Sequence, residues 1–455
     1  MTATAPAPKV PNRTGKEWLQ DWDPEGPNWD KKLAWRTLWI TTFNLTLCFI
    51  AWFLVSAIAP VLNDLGFDLT QSQLYWLTAM PGLAGGFLRL VWMFLPPVLG
   101  TRKMVTFTTI LLLVPFIGWA IAVQNPDTPY FALILLALFA GIGGGAFSGF
   151  MPSTSYFFPK KKAGTALGVQ AGVGNFGVSV VQIATPWIVG IMLLGGAFAT
   201  QIGGSQQLTD AATGATREVW YQNAGYAWVP LTIIGAIAAW FMLKSIPMQV
   251  RGVKDQLDIF KNKHTWNMTV LYVVTFGAFS GFAAVFGLLI DNIYGTGVFG
   301  DDGINPLQYA FLGALVGSAA RVLAGPVSDK LGGAPVTLVS CLGTGAACVF
   351  TAFQLNPTSA SDFPMFLWGM LAIFFFSGIG NASTFKQMPS IFHPRQAGGV
   401  IGFTAAIAAF GPFFFSIILA SSASITLYIY WAVISFIGVG ITWWFYARKG
   451  AEMPS

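Results

Sequence analysis

What this chain has least of is charge. Only 9% of its 455 residues are Asp, Glu, Lys or Arg, where a domain folded in water carries about a quarter. A soluble fold is therefore excluded, and the 55% hydrophobic content and mean hydropathy of +0.63 point to a chain that crosses a membrane many times. Cysteine is nearly missing. Cys48, Cys341 and Cys348 lie in apolar runs, which excludes a disulfide framework and suits small packed hydrophobes. The two histidines, His264 and His393, stand at the ends of apolar runs beside basic residues, so neither is placed as a proton relay at mid-membrane. No metal-ligand cluster exists, and no cofactor is expected. The chain also lacks HExxH, histidine pairs and clustered intramembrane carboxylates, which excludes the usual membrane-embedded enzymes. The net charge of +6 suits the inward bias of basic loops rather than a nucleic-acid partner.

What the chain has is apolar length. Runs long enough to span a bilayer as helices fall at roughly 36–61, 73–97, 103–123, 130–152, 163–193 and 225–244, then at 266–290, 306–328, 334–355, 363–387, 397–420 and 425–446. Twelve spans put both ends of the chain on one face. Loops on that face hold Arg102, Lys103, Lys160 to Lys162, the stretch from Lys244 to Lys263 with Arg251 and Lys254, and Lys330. Loops on the other hold Asp64, Asp68, Asp127, Asp210, Glu218, Asp291, Asp301, Asp302 and Asp362, with Arg217 the one basic residue. The basic face is the cytoplasmic one by the distribution of Lys and Arg, so both termini are expected in the cytoplasm. The organisation read from this is a cytoplasmic segment 1–33 without a cleavable signal, a six-helix half 34–244, a linker 245–265, a second half 266–447 and a tail 448–455. Trp18, Trp22, Trp29 and Trp35 are expected at headgroup level.

Two arginines interrupt the apolar runs. Arg89 lies inside 73–97, where a guanidinium costs roughly 2.5 to 3.5 kcal/mol on insertion scales and cannot shed its proton, so it calls for an anion. Three, four and seven residues before it stand Gly86, Gly85 and Gly82, which leave that helix face open to a neighbour or a ligand. Arg321 repeats the arrangement with Ser318, Gly317 and Ala314. Each arginine precedes a glycine, Gly100 or Gly332, by eleven residues. The segments 141–164 and 378–399 likewise share GIG, MPS, a later proline and a closing AG. A six-helix unit has been duplicated.

Twelve helices in two tandem halves, joined by a long basic loop, define the arrangement of the major facilitator superfamily of secondary transporters. GPVSDKLGG at 325–333 is similar to that superfamily's loop signature, with Asp329 and Lys330, while the first-half VLGTRKM lacks the aspartate. Within the superfamily the chain closely resembles the nitrate/nitrite porters across residues 17–447. The resemblance is carried by TAMPGLAGGFLR ending at Arg89, GGGAF ending at Phe147, AGVGNFG at 171–177, LYVVTFGAF at 271–279, ARVLAGPVSDKLGG at 320–333 and GIGNASTF at 378–385. It implies that Arg89 and Arg321 hold the anion from two sides, that Phe147 and Phe276 lie against its flat faces, and that Asn175 and Tyr272 give hydrogen bonds. Gly168, Gly172, Gly174 and Gly177 would let helices slide, with Asp329 in the gate. The second-half counterpart of the glycine-rich span, 399–412, has alanines and no asparagine, so no ligand is expected from it.

Guanidinium is a planar fork that pairs with two oxygens of a small flat monoanion, and Tyr272 and Phe276, four apart, share a helix face. A phenylalanine among 40 is otherwise accounted for by packing. The expected function is exchange of nitrate for nitrite by a monomer in the bacterial cytoplasmic membrane. No Asp, Glu or His falls near the middle of a span, which favours exchange over proton-coupled uptake, the alternative, for which Asp291 at a span end would serve. A passive anion channel is the third reading.

Overall fold

The computed structural model describes residues 13–190, 203–209, 216–247 and 257–455, so Asp210, Arg251 and Lys254 lie outside the described residues. Among the described residues twelve membrane helices follow one another. The first six are α1 (Lys31–Ile58), α2 (Gln71–Trp92), α3 (Leu95–Leu111 running on through Leu113–Ala122), α4 (Tyr130–Ser155), α5 (Lys160–Ile188) and α6 (Trp228–Met242). The second six are α7 (Lys263–Tyr272, a π-turn Val273–Gly277, then Ala278–Tyr294), α8 (Ala310–Leu331), α9 (Gly333–Ala352), α10 (Phe363–Ile391), α11 (Pro394–Ala408 and Gly411–Ser421) and α12 (Ser424–Thr442). Eleven of these are long and apolar enough to cross a membrane by composition alone. The exception is α2, whose polar start, glycines and Arg89 lower its hydropathy.

The departure from an all-helical chain, among the described residues, is a short antiparallel hairpin between α5 and α6, β1 (Gln206–Thr209) with β2 (Thr216–Val219). It buries Leu208 and Val219. The tryptophans around the start of α1 pack against the end of α4 and the loop after it. Trp22 and Trp29 donate to the carbonyls of Tyr156 and Phe157, and Trp29 and Trp35 pack on Phe158.

The duplicated glycines have one structural cause. Gly100 adopts φ 71° and ψ 165°, and Gly332 adopts φ 88° and ψ 157°, a region closed to side chains by steric clash. Gly332 ends α8 and starts α9, and Gly100 kinks α3, while α2 stops at Trp92 rather than running to residue 97. The strain of an alanine here is about 1–3 kcal/mol. Gly332→Ala is expected to carry that strain alone, since an added Cβ meets nothing nearer than 3.3 Å. Gly100→Ala adds a contact with Ser245 Cβ at 2.7 Å, and is expected to lower the melting temperature further. Equal melting temperatures for the two variants would contradict this.

Close packing of the arginine-bearing helix also rests on glycine. A Cβ on Gly82 would sit 2.6 Å from the Phe413 nitrogen, and one on Gly86 would strike the Phe410 ring, both on α11 of the other half. Gly85 meets Trp52 of α1 and Gly144 of α4. The bare face beside Arg89 is thus filled by helices of both halves, which carries the guanidinium to the seam between them.

Candidate anion-binding site

Arg89 is fully buried at that seam. Its Nε donates to the Gly144 carbonyl at 2.9 Å and its Nη1 to the Ala405 carbonyl of α11 at 2.8 Å, while Nη2 has no partner. The guanidinium carbon lies 4.7 Å from the Phe147 ring centre, 4.9 Å from Phe276 and 5.3 Å from Trp52. Ring faces carry partial negative charge and stabilise a cation by about 2 kcal/mol or more once water is excluded. No ion pair among the described residues includes Arg89 or Arg321. A buried cation without a carboxylate is costly, and the rings and carbonyls offset only part of that cost.

Arg321 is 5% exposed and comes from α8 in the other half. With the Asn175 amide set so that its nitrogen donates to the Ala171 carbonyl, the Asn175 oxygen accepts from Arg321 Nη1 at 2.9 Å. The Phe385 ring lies 5.5 Å from the guanidinium. Each arginine therefore reaches across the seam to the opposite half, Arg89 to α11 and Arg321 to α5. By the repeat, Ala171 and Ala405 stand at matching places on these two helices. The asparagine in α5 acts as a relay between carbonyl and cation that α11 lacks.

The aromatic side chains close a box around the two cations. The Phe147 and Phe276 rings are 6.5 Å apart and 27° from parallel, with Arg89 nearly equidistant from both. One van der Waals contact on each face takes about 3.5–4 Å, so a planar guest between the rings needs them about 7–8 Å apart, slightly more than their present spacing. Tyr272 stacks on Phe276 at 5.4 Å and 6° and meets Phe385 at 5.1 Å. Its hydroxyl is buried near both guanidiniums and has no well-formed hydrogen bond. The π-turn runs from Val273 to Gly277 between these two rings, widening α7 where it faces the cations. All six residues expected to contact substrate, Arg89, Arg321, Asn175, Tyr272, Phe147 and Phe276, thus stand together.

Sequence reasoning alone does not single out Trp52 or Phe385. Trp52 is fixed by donating to the Pro81 carbonyl at 2.9 Å and stacks over Phe276 at 6.4 Å. Phe385 falls inside the GIGNASTF segment, which was the available signal, whereas Trp52 is one of 18 tryptophans in an apolar run.

The four α5 glycines are divided by the fold. Gly174 packs on Leu45 and Gly177 on the Thr46 carbonyl and Phe49, all on α1 of the same half. Gly172 faces Val322 of α8 across the seam, and a Cβ on Gly168 would meet open space. Asp329 pairs with Lys386 of α10, at an exposed position on the basic face, rather than with its sequence neighbour Lys330.

The seam is sealed unequally on its two sides. Toward the acidic face, Thr78 of α2 meets Ser416 of α11 at 3.0 Å, Gln182 of α5 donates to the Ala283 carbonyl of α7 at 3.0 Å, and Asn292 donates to Tyr75 Oη at 2.9 Å. On the basic side of Ala405, no hydrogen bond joins the two membrane bundles among the described residues. A Cβ added to Gly164 or Gly168 of α5 or to Gly325 of α8 would meet nothing within 4 Å.

Two six-helix bundles meet at this buried, charged seam, and residues 41–416 match the family model described as Major Facilitator Superfamily, which makes the chain a membrane transporter. The chain is 57% identical over 443 residues, 96% of its length and 98% of the relative's, to a Thermus thermophilus protein called probable nitrate/nitrite antiporter NarK2. It is 35% identical over 421 residues, 87% of its length and 88% of the relative's, to the nitrate/nitrite transporter NarU of Escherichia coli. The chain belongs to the nitrate/nitrite porter family of that superfamily. Solved structures agree on the fold alone. The proton:xylose symporter XylE matches with a TM-score of 0.66 at 12% identity over 90% of this chain and 95% of its own. A bacterial homologue of the human lysosomal transporter Spinster matches at 0.64 and 15% over 91% and 97%.

Proposed function

We propose that this protein exchanges nitrate for nitrite across the bacterial inner membrane by alternating access, with the anion held between Arg89 and Arg321. One observation carries the reading: two buried guanidiniums from opposite halves stand against one connected cluster of aromatic rings, and neither has a carboxylate partner among the described residues. The names of the relatives supply the choice of anion. Arg89 Nη2 and the Tyr272 hydroxyl are the free donors that an anion's oxygens would take. The basic loops favour a cytoplasmic location for both termini. With acidic-side hydrogen bonds closed and the basic side less tied, the seam suits opening toward the cytoplasm.

Coupling follows from the charges. Two unit cations placed about 6 Å apart would repel by roughly 3 kcal/mol at an effective dielectric near 20, and closing helices over the two arginines removes screening water. A monoanion between them reverses the sign of the net interaction, so the loaded carrier crosses between its open states far faster than the unloaded one. Nitrate and nitrite carry equal charge, and one-for-one exchange is electroneutral. In proteoliposomes, nitrate uptake is expected to be accelerated by internal nitrite or nitrate and to be indifferent to an imposed membrane potential. Rapid uptake into anion-free vesicles driven by a pH gradient, without acceleration by internal nitrite, would replace exchange with proton-coupled uptake.

A further inference from the structure

The binding role assigned to the box leaves one fully buried polar side chain beside it unused. Asn381 of α10 is 0% exposed, and neither its amide nitrogen nor its amide oxygen has a partner. A carboxamide without either hydrogen bond destabilises the fold unless a ligand completes it. Its place is set by the helix. Gly378, three residues before, packs on the Gly317 backbone of α8, and Phe385, four residues after, is the ring over Arg321. Residues at these spacings share one face, so Asn381 lies between the α8 contact and the box. Ser318, one turn before Arg321 on α8, is likewise fully buried with an unpartnered hydroxyl.

The internal repeat sharpens the comparison. Counting from the shared GIG, Asn381 occupies the position of Gly144 in the first half. There the backbone carbonyl binds Arg89 Nε, and the absent side chain lets Trp52 and α2 close in. In the second half Arg321 takes its oxygen from Asn175 on another helix, and the same position carries an amide that nothing in the protein satisfies. The two halves are alike in their cations and unlike in what accompanies them.

We infer that Asn381 is a further substrate-binding residue that selects nitrate over nitrite, an inference that rests on the nitrate/nitrite reading above. An anion stacked between Phe147 and Phe276 can accept hydrogen bonds only around its edge. The two guanidinium forks and Tyr272 approach that edge, and they suffice for the two oxygens of nitrite. Nitrate has a third, and the Asn381 amide N–H, with Ser318 beside Arg321, supplies the added donor on the α8 and α10 side of the box. Its amide oxygen accepts no bond from the anion, which has no donor to offer.

The test uses the full-length chain purified in detergent, with dissociation constants for sodium nitrate and sodium nitrite measured on the same preparations and melting temperature recorded beside them. Asn381→Ala is expected to weaken nitrate binding by about tenfold or more, the scale of a hydrogen bond to a charged group, with a much smaller effect on nitrite. Asn381→Ser, which keeps a shorter donor, should fall between. If Asn381→Ala does not yield folded protein, Asn381→Gln keeps the amide but displaces it by one methylene, and is expected to shift the ratio in the same direction. A lower melting temperature with an unchanged nitrate-to-nitrite ratio makes Asn381 a packing residue and overturns the inference alone. A wild-type protein that binds neither anion removes the underlying reading and the inference with it.

Discussion

Arg89→Lys and Arg321→Lys are each expected to abolish anion transport although the charge is kept. Arg89 divides its donors between anchoring and binding: Nε and Nη1 are spent on the Gly144 and Ala405 carbonyls, and Nη2 remains. A lysine ends in one ammonium on a flexible stem and cannot reach two carbonyls on different helices while presenting a third donor. Arg321 likewise meets Asn175 with one nitrogen and keeps the rest of its fork. Each hydrogen bond to a charged partner contributes about 1.5–3 kcal/mol, so two lost bonds weaken binding by roughly a hundredfold or more. The measurement is nitrate and nitrite binding to purified variants together with counterflow in proteoliposomes. Wild-type rates in both lysine variants would end the two-arginine reading.

Phe147→Ala and Phe276→Ala are expected to change which anions bind. Both rings are buried, 2% and 0% exposed, and together they limit the slot to a planar guest. Removing either should weaken nitrate and nitrite while admitting bulkier tetrahedral anions. The competing effect is loss of packing, about 3–5 kcal/mol for a phenylalanine in a close-packed core. The two effects separate when the selectivity profile is measured beside the melting temperature. A less stable protein with wild-type selectivity would leave the rings as packing alone. Phe276 should show the larger effect, because it also stacks with Tyr272 and Trp52.

The class of protein and its plan are legible in the residues without any tertiary contact. Low charge, apolar runs and the distribution of Lys and Arg are properties of short windows, and the bilayer imposes them on every span independently. The duplication was readable for the same reason: Gly100 and Gly332 repeat because a positive φ is needed at each, a demand met by one residue type without reference to distant partners. The arginines stood out because a buried guanidinium is costly wherever it lies. Tertiary structure alone decided what surrounds them. The Ala405 carbonyl is 316 residues from Arg89, and a carbonyl acceptor leaves no mark in the sequence. Only the packing of α1 against α2 and α4 distinguishes Trp52 from the other tryptophans, and only contact geometry divides Gly172, which faces the opposite half, from Gly174 and Gly177, which face their own. Hydropathy and periodicity constrain which face of a helix is buried. The identity of the neighbour on that face, and whether a polar group there finds a partner, depends on how twelve helices pack together, which no single window contains.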